Sequence, residues 1–158
     1  MELPIGVWKV RSWQTGDAAA LLKYANNSRV WINLRDSFPF PYTEADAKAW
    51  LGAAARQIPE TAFAIASAEE AIGGISVQPQ YDVYRKSAEI GYWLGEPFWG
   101  QGIATLAVRA LTSYAFSRLD LVRMYASVFA WNPASARVLE KAGYHLEGKM
   151  RDAVYKNG

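Results

Sequence analysis

Cysteine is absent from this chain, and histidine occurs once, at His145. Those gaps remove disulfides, thiolate metal sites and cysteine nucleophiles, and leave little for a histidine-based metal centre, so no metal is expected. Charge of one sign is equally scarce. Lys+Arg number 17 against 15 Asp+Glu, a net charge of +2, and the basic residues are scattered. That balance argues against nucleic acid or an anionic membrane as partner. No run of about eighteen apolar residues and no basic-then-apolar leader is visible, so neither a membrane span nor a secretion signal is expected, and the expected compartment is the cytoplasm. What is present is 51% hydrophobic residues, with 7 Trp and 9 Tyr among 158 residues. That suits one globular domain, 1–158, with a core of its own.

The most informative stretch runs from Ala88 to Leu111, AEIGYWLGEPFWGQGIATLAVRAL. It reads as a strand over Ala88–Leu94, a Pro/Gly turn, and a helix opening at Trp99-Gly100-Gln101-Gly102-Ile103-Ala104-Thr105. A helix start presents backbone N–H groups with no intrahelical acceptor, and the peptide dipoles add partial positive charge there. Gly100 and Gly102 leave those groups uncovered, so a pyrophosphate can approach.

Upstream, Trp8–Trp13 alternates as a strand, and Thr15 or Asp17 caps a helix through Ala18–Ala25 that ends near Asn26-Asn27. Pro39 and Pro41 keep Ser37–Tyr42 non-helical, and the aromatics there either fill the core or wall a pocket. Thr43 and Asp46 form a capping-box pattern for a helix from Glu44 to about Ala55. Thr61–Ser67, Ile72–Val77 and the strand from Ala88 read as an antiparallel meander, with Asp82–Lys86 a charged loop. Ile103, Leu106, Ala107, Ala110, Leu111 and Tyr114 share one face of a helix ending near Leu119. Arg123–Phe129 reads as a strand parallel to Ala88–Leu94 across that helix. Asn132-Pro133 then opens another helix, stopped by Gly143. Tyr144–Arg151 begins a last strand, and Lys156-Asn157-Gly158 is a hairpin-turn signal. His145, Tyr114 and Tyr125 are expected to be structural.

Read in order, Asn33-Leu34-Arg35-Asp36, Phe38-Pro39, Pro41-Tyr42-Thr43, Glu89-Ile90-Gly91-Tyr92-Trp93-Leu94, Trp99-Gly100-Gln101-Gly102, Asn132-Pro133-Ala134-Ser135 and Leu139-Glu140-Lys141-Ala142-Gly143 resemble the GNAT N-acetyltransferase superfamily, and more narrowly its RimJ/RimL-type branch, which acetylates N-terminal amines of ribosomal proteins. The resemblance implies an α/β (α+β) GNAT fold. Its sheet is mixed and mostly antiparallel, with a central parallel strand pair splayed around acetyl-CoA and four main helices. Relatives usually add one more strand after the Asn-Gly turn, and here the sequence stops at Gly158.

Carried over by position, the resemblance implies acetyl-CoA as cofactor, with pyrophosphate on the backbone groups of Gly100, Gln101, Gly102, Ile103, Ala104 and Thr105. Tyr92, Trp93 and Leu94 would flank the pantetheine arm, and Asn132 would contact the cofactor from the next helix. Trp99 stands where the family loop often has Gln or Arg. Leu139 stands where many members carry a general-acid Tyr, which leaves Ser135 as the candidate donor to the leaving sulfur. Glu89 is the candidate base, acting through water, and a backbone N–H of Tyr92–Leu94 is the candidate oxyanion donor. Arg35, Phe38 and Tyr42 are candidates for the acceptor pocket. The expected partners are acetyl-CoA and a primary amine, with the chain a monomer or homodimer. Three readings stand: transfer to a protein N-terminus, transfer to a small molecule (amino acid, polyamine or aminoglycoside), or an acyl-CoA-binding module without turnover.

Overall fold

In the computed structural model, which describes residues 1–158, six strands pair in sequence order into one sheet. They are β1 (Glu2–Ile5), β2 (Trp8–Ser12), β3 (Ala62–Ala66), β4 (Ala71–Pro79), β5 (Ser87–Leu94) and β6 (Arg123–Tyr125). Each neighbouring pair is antiparallel except β5–β6. That parallel pair needs a crossover, which α4 (Ile103–Arg118) supplies. The other helices are α1 (Ala18–Ala25), α2 (Ser28–Trp31), α3 (Glu44–Ala54) and α5 (Pro133–Lys141). None is long and apolar enough to cross a membrane.

Both faces of the sheet are covered. On one, Ile103, Ala107, Val108, Leu111 and Ala115 of α4 meet Phe63, Ile65, Ile75 and Ile90 in the main core. On the other, α1 lies close to β4, and Ala20 packs on Ala64 and Ala71, where small side chains let the helix approach. Leu21 and Ala25 of α1 join Tyr42, Ala47 and Leu51 in a second cluster under the Pro-rich turn. A strand buried on both faces loses its polar alternation, which is why β3 is apolar at every position. Beneath α1, Arg11 and Asp17 form a bidentate pair, both bonds 2.8 Å, and Asp17 also accepts the Gln14 N–H.

Several expectations hold in detail. The Thr43–Asp46 capping box opens α3, Asn132 caps α5 by accepting the Ser135 N–H, and Gly143 follows α5 with φ of +96°. Others need correction. Strand β1 and helix α2 are too short to leave a periodic signal. The strand expected over Arg123–Phe129 ends at Tyr125, because β6 has no partner on its outer side and β5 diverges from it beyond Glu89. Tyr144–Arg151 forms no strand for the same reason, since no strand runs beside it. The parallel pair therefore lies at the end of the sheet, not at its centre.

Candidate active site

The divergence of β5 from β6 is what creates the site. Hydrogen-bonding direction alternates along a strand, and Gly95 N–H reaches back to Ile72 O on β4 while Lys86 O accepts from Val122 on the β6 side. By that alternation the peptide groups of Tyr92 and Leu94 face away from β4, into the gap beyond the last β5–β6 pair. The gap opens into a cavity of about 1030 Å³ lined by residues of β5, the α4 start, α5, the 126–129 segment and the Pro-rich turn.

At one end stands the loop before α4. Gly100 and Gly102 have φ of +74° and +77°, and a Cβ built on either would meet nothing within 4 Å. The backbone N–H groups from Gly100 through Thr105 find no acceptor within the protein. A row of free amides at the positive end of a sixteen-residue helix is a seat for a doubly charged diphosphate. All predicted cofactor positions line the cavity except Gln101, whose amide turns away to bond Pro97 O at 3.1 Å, leaving only its main chain to the site. Trp99, in place of a polar phosphate ligand, instead donates its indole N–H to Leu94 O at 2.7 Å and lies under the Arg29 guanidinium. That bond consumes the Leu94 carbonyl. Arg137 and Lys141, one turn apart on α5, also line the cavity; neither was among the site residues expected from the sequence, although Lys141 lies in the Leu139–Gly143 string.

Side-chain alternation then splits the chemistry between the two faces of β5. Glu89 and Trp93 point to the α1/α3 face. There Glu89 Oε1 accepts a 2.6 Å bond from Arg35, and Phe38 packs between Tyr42 and Trp93 with ring centroids 5.2 and 5.6 Å away. Gly74 behind Trp93 cannot carry a side chain, since its Cβ would fall 2.7 Å from the Trp93 indole nitrogen. Tyr42 is buried, and burial pushes its hydroxyl up to about 12. Tyr92 points to the opposite, α4/α5 face, where its hydroxyl lies 2.7 Å from Ser135 Oγ and 3.1 Å from Ser135 O. Burial raises the Tyr92 hydroxyl above its ordinary value, against a smaller downward pull from Ser135. The Tyr92 side chain was missed as a participant because its partner lies 43 residues away. Leu139 lies one turn beyond Ser135 and is buried in the main core, so the hydroxyls that meet on this wall are those of Ser135 and Tyr92.

The acetyltransferase (GNAT) domain family matches the chain over residues 9–145. The chain belongs to that family. Curated relatives of this GNAT chain include the Escherichia coli ribosomal-protein-serine acetyltransferase, 37% identical over 95 residues, which are 60% of this chain and 52% of that protein. The Bacillus subtilis N-acetyltransferase YoaA is 40% identical over 90 residues, 57% of this chain and 50% of that protein. The chain spans about half the length of the first curated relatives it matches. Among solved structures, RimL, a ribosomal L7/L12 α-N-protein acetyltransferase in complex with coenzyme A, superposes with a TM-score of 0.86 at 26% identity, covering 100% of this chain and 92% of that one. Mycobacterium smegmatis RimJ in complex with CoA-disulfide shares the fold, with a TM-score of 0.84 at 24% identity over 98% of this chain and 78% of that one.

Proposed function

We propose that this chain is an acetyl-CoA-dependent N-acetyltransferase whose acceptor is a primary amine, and that the acceptor is the α-amine of a protein N-terminus. The observation that carries the reading is one continuous cavity joining the free amides of Gly100–Thr105, the Glu89–Arg35 pair and the Tyr92–Ser135 pair. The residues present fit the cofactor, because the cradle is bare main chain with open space above it.

When bound, acetyl-CoA supplies an acetyl group activated as a thioester. The Gly100–Thr105 amides hold the diphosphate and so fix the register of the arm along β5. The Tyr92 N–H, in the free row of β5, is aimed where negative charge develops on a carbonyl oxygen. An α-amine has a pKa of about 7.7–8.0 against about 10.4 for lysine, so the N-terminal amine needs far less help to become neutral. Glu89, on the acceptor face, takes the proton through water. On the other face Tyr92 gives its one hydroxyl proton to Ser135, which leaves the Ser135 hydroxyl to donate toward the sulfur; burial favours the protonated Tyr92 hydroxyl. The Phe38–Tyr42–Trp93 aromatic wall excludes water around the acceptor. The relatives named for ribosomal-protein substrates support the N-terminal acceptor over a small molecule.

Mass spectrometry of peptide N-termini after incubation with acetyl-CoA tests the acceptor. A gain of one acetyl group at α-amines, with CoA released in equal amount, is expected. Release only with small amines would move the chain to the small-molecule reading, and CoA binding without any release would make it a binding module. For the donor pair, Tyr92→Phe should lower kcat about tenfold, below the usual range for lost acid catalysis because a thiolate leaves readily without help. An unchanged kcat in stopped-flow CoA release removes Tyr92 from the chemistry.

A further inference from the structure

The rim of the cavity holds a cation site that the function above does not use. Lys156 Nζ lies 3.8 Å from the centroid of the Trp31 ring and 2.8 Å from Asp36 Oδ1, and its side chain is only 2% exposed. Trp31 is itself stacked on Phe40, with centroids 5.4 Å apart and planes at 27°, so the face offered to the ammonium is held in place. An aromatic face with a carboxylate at its edge is the composition that selects an alkylammonium. The notch sits on the same turn as the acceptor wall: Leu34, Arg35 and Ser37 line the cavity around Asp36, and Arg35 reaches Glu89.

The occupant is held by its ammonium. From Gly148 to Gly158 the chain makes no helix or strand, and its sole hydrogen bond to the rest of the protein is Lys156–Asp36. Asp36 is 79% exposed, so the ion pair is screened, and the Trp31 ring supplies the second contact of the same ammonium. A competing ammonium has to replace both contacts, and it would make the same two itself.

We propose that the Trp31–Asp36 notch is a subsite for a basic side chain of the acceptor, and that Lys156 is its resident occupant in the free protein. This rests on the amine-acceptor reading above and adds to it a preference for an acceptor carrying a second positive charge. Binding of such an acceptor exchanges one ammonium for another in the notch and lifts the C-terminal segment off the rim. Neutral acceptors leave Lys156 in place.

The test uses neutral peptides into which a single lysine is walked along the first residues, assayed on the wild-type chain, on Lys156→Ala, and on the double variant Asp36→Asn/Lys156→Ala. At one lysine position, Lys156→Ala should lower KM about fivefold relative to the neutral peptide, the scale of a partly exposed cation–π contact with an ion pair. The double variant should erase that difference. A KM ratio that is flat across positions and variants overturns the notch. A second readout needs no turnover: Nα-acetyl-lysine amide titrated into nitrogen-15-labelled Lys156→Ala protein should shift the Trp31 indole resonance saturably, and should fail to do so in the double variant. Absence of that shift overturns the notch even if acetylation proceeds. A saturable shift with no amine acetylated leaves the notch in place and overturns the transferase reading instead.

Discussion

Replacing Gly102 by aspartate will raise the dissociation constant for CoA about 100-fold while the chain stays folded. Gly102 sits at the mouth of α4 with open space where a side chain would go, directly against the free amides of Gly100–Thr105. At an effective dielectric of about 20, two like charges about 5 Å apart repel by about 3 kcal/mol, which sets the scale for a carboxylate opposed to a phosphate in that cradle. That is about 100-fold in affinity. The φ of +77° adds a separate cost of about 1–2 kcal/mol to folding, since a Cβ is disfavoured there. Gly102→Ala carries that strain without the charge, so its melting temperature should fall by a similar amount while its CoA affinity falls far less. Calorimetric titration of CoA into both variants separates the two effects. Equal weakening by Ala and Asp would mean that shape, not charge, governs the cradle. Affinity within about threefold of wild type for Asp would place the diphosphate elsewhere.

If Glu89 is the base proposed above, Glu89→Gln should lower kcat/KM about 100-fold, the loss expected when a positioned carboxylate is replaced by an amide of the same shape. In both proteins the acceptor α-amine, at about 7.7–8.0, must be neutral before it attacks, so activity falls as pH falls through that range. Arg35→Gln is the companion, because it removes the 2.6 Å partner of Glu89 yet leaves the carboxylate, and it should cost far less than Glu89→Gln. An unchanged kcat/KM in Glu89→Gln would assign the proton to water or to the acceptor alone.

The parts of this site that could be read from the sequence are those built within one turn of chain. The glycine-spaced loop declares itself through Gly100 and Gly102, whose left-handed φ glycine adopts without a steric cost. The α5 start declares itself through Asn132-Pro133, and α3 through the Thr43–Asp46 capping box. What stayed hidden is what depends on distant residues meeting. The Tyr92–Ser135 pair, the Arg35–Glu89 bond and the Lys156–Asp36 bond span 43, 54 and 120 residues, and no local pattern encodes them. The strand predicted over Arg123–Phe129 stops at Tyr125, and the one predicted over Tyr144–Arg151 does not form, for a related reason. Alternation shows that a segment can be a strand, but a strand exists only beside a partner, and none continues beyond the Glu89–Tyr125 pair or runs beside Tyr144–Arg151.

Glu89 and Tyr92 lie an odd number of positions apart on β5, so the carboxylate leaves the strand toward Arg35 and the hydroxyl toward Ser135 on the opposite face. One residue inserted between them would turn one of the two side chains onto the wrong face. The strand would then part either Glu89 from Arg35 or Tyr92 from Ser135, and the division of labour proposed above would be lost with every side chain retained.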